Sequence, residues 1–325
     1  RRAGVKNLYT VDDQMAPDGS FPTVYYPNPE FPEAFKLGIE LAEKVSSELV
    51  VATDPDCDRV GVMAKGKDGE FHTVTGNQMG ALLLDYIITA YEKEGKLPAD
   101  AYAVKSVVSA NLAEKIADAH GVKFYNVLTG FKFIGEVIKE HLAAGHGTFL
   151  LGFEESYGYL KGTYARDKDA VVASMLICEM AAFYKAKNMT LIDALDELFE
   201  RYGYFGERVK NIQITGLDAA GQMAKIMKGL RENSPASLCG VKVAETRDYL
   251  DSTVRRSDGS VGETGLPKTN MLYYVLENGD VYIVRPSGTE PKIKVYILSQ
   301  AKTREALGAQ LDALDREADA MFSKQ

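Results

Sequence analysis

Apolar residues Phe35, Ile39 and Ala42, spaced i, i+4 and i+7, predict an amphipathic helix after the turn-rich stretch Pro27-Asn28-Pro29. The apolar run Leu49-Val50-Val51-Ala52 predicts a strand that runs into Thr53-Asp54-Pro55-Asp56-Cys57-Asp58-Arg59. A second strand, Val60 to Ala64, leaves that loop, and Lys67-Asp68-Gly69 closes the segment as a turn. This pattern makes a small α/β unit with an acidic loop at a strand end.

From residue 77 strands and helices alternate. Asn77 is expected to cap a helix running through Tyr86 and Tyr91. Strands are expected at 104–108, 122–127 and 148–151, with helices over 112–119, followed by Gly121, and 133–142, ended by Gly145. This β-α-β-α-β order predicts a parallel sheet with helices on its faces. Ligands of such sheets bind beyond the carboxyl ends of the strands, where Thr129-Gly130-Phe131-Lys132 and the stretch from Gly152 to Lys168 fall. The longest apolar helical stretch, Ala170 to Tyr184, is interrupted by Glu179 and flanked by charges, so it reads as a buried helix and not a membrane span.

Beyond Tyr204 the pattern predicts a strand over 209–214, a helix after Asp218 and a polar connection from Asp251 to Thr269. Two apolar runs, 272–276 and 281–284, flank Asn278-Gly279, the strongest short hairpin signal. A strand at 293–298 and a closing helix complete an antiparallel α+β module. The expected fold class is α/β, with mixed or parallel-sheet domains followed by a smaller antiparallel α+β C-terminal domain.

Composition narrows the function classes. The 325 residues carry a formal net charge of −8, which argues against nucleic acid and anionic membrane as partners. Cys57, Cys178 and Cys239 show no C-x-x-C spacing, which excludes a disulfide framework and a zinc cluster and fits a reducing cytoplasm. The chain opens with Arg1-Arg2-Ala3-Gly4, without an initiator Met or a signal-peptide core, and reads as the tail of a helix that begins upstream.

Four loops carry candidate chemistry. Asp54, Asp56 and Asp58 alternate, so an extended turn presents three carboxylates to one hard cation such as Mg²⁺; the alternative is a solvated acidic turn. An EF-hand is excluded, because Arg59 and Lys65 occupy the positions of its Gly and Glu. Cys57 is expected behind the cation and not on it, since thiolate is too soft for Mg²⁺. The segment Arg285-Pro286-Ser287-Gly288-Thr289-Glu290-Pro291-Lys292 offers a guanidinium, hydroxyls and backbone amides to a phosphate, with Lys294 nearby, or forms an ordinary turn. Gly152-Phe153-Glu154-Glu155-Ser156-Tyr157-Gly158, with Arg166-Asp167-Lys168-Asp169 at its far end, suits vicinal sugar hydroxyls or is a charged exposed loop. Lys132, at a helix N-terminus, is suited to an oxyanion or is a surface lysine. No H-E-x-x-H, G-x-S-x-G or G-x-G-x-x-G is present, and Glu136 stands where a Walker A motif needs Lys.

Taken in order, T-D-P-D-C-D-R, T-G-F-K, G-F-E-E-S-Y-G with R-D-K-D, and R-P-S-G-T-E-P-K resemble the α-D-phosphohexomutase superfamily, in particular its bacterial phosphoglucomutase and phosphopentomutase-like members. The resemblance covers essentially the whole chain. It implies domains at 1–70 (the rest of a second domain), 71–204 (a third) and 205–325 (a fourth). It implies Asp54, Asp56 and Asp58 as Mg²⁺ ligands, and Arg59, Lys132 and Lys168 as catalytic groups near the reacting phosphate. Glu154 and Ser156 would bind sugar hydroxyls, while Arg285, Ser287, Gly288, Thr289 and Lys294 would hold the phosphate that is not transferred. The implied reaction interconverts glucose 1-phosphate and glucose 6-phosphate, with glucose 1,6-bisphosphate as intermediate and activator. Phosphomannomutase, phosphopentomutase and a non-catalytic sugar-phosphate binder are the alternatives, and hexose or pentose phosphates are the expected ligands. The family's phosphoserine sits in a T-x-S-H-N-P-type loop, and no Ser-His dipeptide occurs in this chain. The expectation is therefore a C-terminal fragment that lacks the first domain and is inactive by itself.

Overall fold

The computed structural model describes residues 4–216, 218–288 and 290–322, so the expectation for Arg1 to Ala3 lies outside the described residues. The chain divides into two compact units, Arg1–Tyr202 and Gly203–Gln325.

In the first unit, irregular chain leads through a 3₁₀ turn at Pro32–Phe35, which buries Phe35, into α1 (Lys36–Val45), which buries Ala42 and half-buries Ile39. Next come β1 (Leu49–Thr53), β2 (Val60–Lys65) and β3 (Phe71–Val74), an antiparallel sheet in the order β1-β2-β3. Thr53 pairs with Val60, so residues 54–59 are the connection of a β-hairpin. The pattern did not predict β3, whose four residues follow a charged turn and bury only Val74.

α2 (Gly76–Lys93) is capped by Thr75, not by Asn77 as expected. Thr75 Oγ1 accepts the Gln78 N–H while Gln78 Oε1 accepts the Thr75 N–H, a reciprocal capping box. Asn77 lies buried in the first turn and accepts the N–H of Ala110 at 2.8 Å. β4 (Ala101–Ser106), α3 (Leu112–Ala119), β5 (Lys123–Val127), α4 (Phe131–Ala144) and β6 (Thr148–Glu154) form the expected β-α-β-α-β succession. The sheet order is β5-β4-β6-β7: β5, β4 and β6 run parallel, and the short β7 (Gly158–Leu160) returns antiparallel to β6. Two helices follow, α5 (Ala170–Lys185) and α6 (Leu191–Tyr202). α5 is not buried all round. Ala170, Ala173, Ile177, Met180 and Tyr184 form an inward stripe, whereas Val171 is 68% exposed. Among the described residues no helix is long and apolar enough to cross a membrane.

The two sheets of this unit are linked by a backbone bridge between Arg59 and Gly158, next to a hydrogen bond from Val60 N–H to the Tyr157 carbonyl at 3.0 Å. The bridge sets the start of β2 beside the turn between β6 and β7.

Among the described residues, the second unit is one antiparallel sheet with two helices. Its elements are β8 (Tyr204–Gln213), α7 (Ala219–Glu232), β9 (Ser237–Leu238), β10 (Val241–Asp248), β11 (Thr253–Arg256), β12 (Val261–Glu263), β13 (Leu272–Leu276), β14 (Val281–Pro286), β15 (Lys292–Ala301) and α8 (Arg304–Phe322). The strand order is β12-β11-β10-β13-β14-β15-β8, with β9 on β10. Met227 and Leu230 of α7 and Leu307, Leu311 and Leu314 of α8 pack on Tyr274, Tyr282, Val284, Val295 and Ile297. The connection expected from Asp251 to Thr269 in fact contains β11 and β12. Their apolar signal is faint, because β11 buries only Val254 and β12 buries none of its residues. The Asn278-Gly279 hairpin forms as expected, with Gly279 at φ 86.

Candidate active site

The acidic loop is held by its own first carboxylate. Asp54 Oδ1 accepts the backbone N–H groups of Asp58 at 3.0 Å and Arg59 at 2.9 Å, and Cys57 takes φ 59 at the tip. This tight turn gathers ligand atoms of Asp54, Asp56 and Asp58 within 4.8 Å of one another. Burial, together with the charges of Asp58 and Asp56, holds the Asp54 pKa above its ordinary value. Three hard oxygen donors repelling one another fit a cation of the Mg²⁺ type. Cys57 contributes its backbone: the carbonyl accepts the N–H of Ala170 at the start of α5, at 3.1 Å.

Around this cluster the fold assembles groups distant in sequence. Arg59 Nε lies 3.8 Å from carboxylate oxygens of both Asp54 and Asp58, and its Nη1 donates to the Ser156 carbonyl at 3.3 Å. Lys168 Nζ stands 2.6 Å from Asp58 Oδ2 and 3.1 Å from Asp167 Oδ1. Burial works to lower the Lys168 pKa, but the two carboxylates outweigh it and raise the value. Gly158 makes room for this lysine, since a Cβ there would meet Lys168 Cδ at 2.7 Å.

Glu154 ends β6 and is 5% exposed. Its Oε1 accepts the Gly130 N–H at 2.7 Å, which joins the T-G-F-K loop to the sugar-loop candidate. Burial first, and the charge of Glu155 second, push the Glu154 pKa up to about 7. One residue before Gly130, Thr129 Oγ1 is buried with no hydrogen-bond partner among the described residues, a hydroxyl left for a ligand or water to satisfy. Lys132 is exposed in the first turn of α4, its Nζ 4.9 Å from the Phe133 ring centre, and makes no ion pair among the described residues.

Sequence reasoning passed over Lys105, Ser106 and Ser109. Lys105 is 1% exposed at the end of β4, and its Nζ donates to the Ser109 carbonyl at 3.0 Å. The readable signal was a lysine ending an otherwise apolar strand.

In the second unit, Arg285 and Lys294 face each other as a cross-strand pair of β14 and β15, and neither makes an ion pair among the described residues. The intervening loop is braced by Ser287 N–H on the Lys292 carbonyl at 2.8 Å and by Glu290 N–H on Ser287 Oγ at 3.3 Å. Lys292 Nζ is taken by Glu290 at 2.6 Å. Gly288 is exposed at the loop tip, and Thr289 lies outside the described residues.

Three family descriptions match in succession: phosphoglucomutase/phosphomannomutase alpha/beta/alpha domain II over residues 1–69, alpha/beta/alpha domain III over 75–202, and the C-terminal domain over 238–317. A phosphoglucomutase of Staphylococcus saprophyticus is 35% identical over 308 residues, which is 94% of this chain and 55% of that protein. One of Staphylococcus epidermidis is 37% identical over 290 residues, 88% of this chain and 52% of that protein. The chain thus spans about half the length of the curated relatives it matches. Among solved structures, the phosphoglucomutase pp63/parafusin from Paramecium aligns with a TM-score of 0.62 at 20% identity, over 90% of this chain and 50% of that one. A phosphoglucomutase/phosphomannomutase family protein from Burkholderia thailandensis aligns at 0.60 and 18%, over 94% and 53%. At these identities the structures share the fold.

Proposed function

The chain belongs to the phosphoglucomutase/phosphomannomutase family, and from that premise we propose that its loops are the metal, sugar and phosphate sites of an enzyme interconverting glucose 1-phosphate and glucose 6-phosphate. The observation that carries this reading is the grouping of Asp54, Asp56 and Asp58 with Arg59, Lys168 and the sugar-loop residues Glu154 and Ser156. Phosphoryl transfer needs positioned charge more than covalent chemistry, and these side chains supply it.

Asp54, Asp56 and Asp58 would hold Mg²⁺, which when bound neutralises charge on a phosphoryl group in transfer. Arg59 and Lys168 add positive charge beside that cluster, and Lys132 adds it at the N-terminus of α4. Glu154 and Ser156 engage sugar hydroxyls, which differ in the two orientations of a bisphosphate but keep the same donor and acceptor chemistry. With a pKa of about 7, Glu154 donates or accepts according to its partner. Arg285, Ser287, Gly288, Thr289 and Lys294 hold the phosphate that stays in place, with glucose 1,6-bisphosphate as the intermediate. We read 1–70, 71–204 and 205–325 as three domains, and a cytoplasmic setting fits three free thiols.

The phosphorylated Ser of the family motif has no Ser-His counterpart here. The purified 325-residue chain is therefore expected to bind glucose 6-phosphate without isomerising glucose 1-phosphate. Arg285→Ala is expected to weaken glucose 6-phosphate binding about tenfold in calorimetric titration, the loss of a charge-assisted phosphate contact. Unchanged affinity sinks the phosphate assignment, and turnover in a coupled assay sinks the expectation of inactivity.

A further inference from the structure

Glu154 and Glu155 are consecutive, yet the fold fastens them to different loops. Glu154 Oε1 is bound by Gly130 N–H at 2.7 Å. Glu155 Oε2 accepts hydrogen bonds from Ser106 Oγ at 3.1 Å and Ser109 Oγ at 3.3 Å, and Glu155 N–H donates to Ser109 Oγ at 3.0 Å. Both serines are fully buried, and their hydroxyls lie 2.8 Å apart.

The serine turn is itself braced. Ser109 N–H bonds the Ser106 carbonyl at 3.0 Å, Lys105 Nζ donates to the Ser109 carbonyl at 3.0 Å, and the neighbouring Ala110 N–H reaches Asn77 Oδ1 at 2.8 Å. Lys105 also pairs with Glu114 at 3.0 Å and donates to Asn111 Oδ1 at 3.2 Å. From the other side, the start of α2 presses on the backbone of Glu155: a Cβ on Gly76 would stand 2.0 Å from the Glu155 carbonyl oxygen.

A carboxylate placed here is costly, because it loses water and adds a second negative charge beside Glu154. In return it makes charge-assisted hydrogen bonds to a rigid, buried pair of hydroxyls, stronger than a neutral residue would form. Two successive side chains clamped to two separate loops leave the turn between β6 and β7 little torsional freedom, which is how a binding group is held ready before its ligand arrives.

We propose that Glu155 is a positioning residue: its carboxylate, locked by Ser106 and Ser109, fixes the backbone from which Glu154 and Ser156 meet sugar hydroxyls. The proposal rests on the reading of Glu154 and Ser156 as sugar ligands.

The test uses the 325-residue chain, with glucose 6-phosphate and inorganic phosphate as calorimetric probes and Gly130 amide hydrogen exchange as a ligand-free probe. Glu155→Ala is expected to weaken glucose 6-phosphate binding about tenfold, the scale of a small misplacement of binding groups, and to speed Gly130 exchange. Inorganic phosphate affinity should stay within about twofold of the parent, since it reads the loop at Arg285. Glu155→Gln keeps an acceptor oxygen and should restore glucose 6-phosphate binding to within about threefold. Should Glu155→Ala fail to fold, Ser106→Ala carries the same comparison, with a smaller loss expected. Parent-like sugar binding and Gly130 exchange in Glu155→Ala overturn the proposal, as does equal weakening of both probes. Glu154→Ala separates the levels: if it loses glucose 6-phosphate while Glu155→Ala does not, only the positioning role falls. If Glu154→Ala also binds like the parent, the sugar reading falls and takes the proposal with it.

Discussion

Glu154 is an acid kept almost out of water, and its cost depends on pH. Its folded pKa of about 7 stands above the ordinary value of 4.5, so the folded chain binds more protons than the unfolded one between those pH values. Its contribution to stability is intact below pH 4.5 and is lost as pH rises through 7, by on the order of 3 kcal/mol in full. Glu154→Gln cannot ionise and keeps an acceptor for Gly130. It should match the parent in urea unfolding at pH 4 and exceed it by about 1–3 kcal/mol at pH 8.5. Equal stability at both pH values would contradict this. Lys168 poses a different competition, because its ammonium stands on Asp58, one of the three carboxylates proposed to hold the cation. Lys168→Met should therefore bind Mg²⁺ more tightly, by roughly tenfold in titration, since a cation no longer displaces a partner from that carboxylate. Weaker binding would mean that the lysine orders the site.

Elements set where these residues stand, and α2 is the most exacting of them. Its first residue, Gly76, touches the Glu155 carbonyl with no room for a side chain. Gly76→Ala should cost about 1–3 kcal/mol in chemical denaturation, an overpacking penalty, and should loosen the turn between β6 and β7. Stability unchanged from the parent would show that the turn yields. The parallel β4-β5-β6 core and the Asn278-Gly279 hairpin were legible from sequence, because each rests on local periodicity or turn chemistry. The acidic loop was legible for the same reason, as its donors are neighbours in the chain. By contrast, β3, β7, β11 and β12 run to three or four residues each, too short for alternation to register. The cap of α2 was readable in the spacing of Thr75 and Gln78, but Asn77 competes by residue type alone. The clamp on Glu155 was beyond reach, because Ser106 and Ser109 lie 49 and 46 residues away.

At the scale of the molecule, the proposed chemistry divides between the two units, with the carboxylates and the proposed sugar loop in Arg1–Tyr202 and the proposed phosphate loop in Gly203–Gln325. A net charge of −8 disfavours an anionic ligand in bulk, and Arg285 and Lys294, neither in an ion pair among the described residues, offer a local exception. Amide resonance mapping on the whole chain should therefore show Mg²⁺ moving signals at Asp54 to Arg59 and inorganic phosphate moving those at Arg285 to Lys294. Phosphate shifts centred on any other basic residues would count against the assignment. Within the first unit, Arg59 bridges Gly158 while Val60 N–H holds the Tyr157 carbonyl. These two contacts tie the end of the acidic turn to the turn that follows Glu154 and Ser156. The two loops consequently share one support, so a substitution that weakens it is expected to speed amide exchange in both turns, while the bonds that each turn makes for itself stay in place.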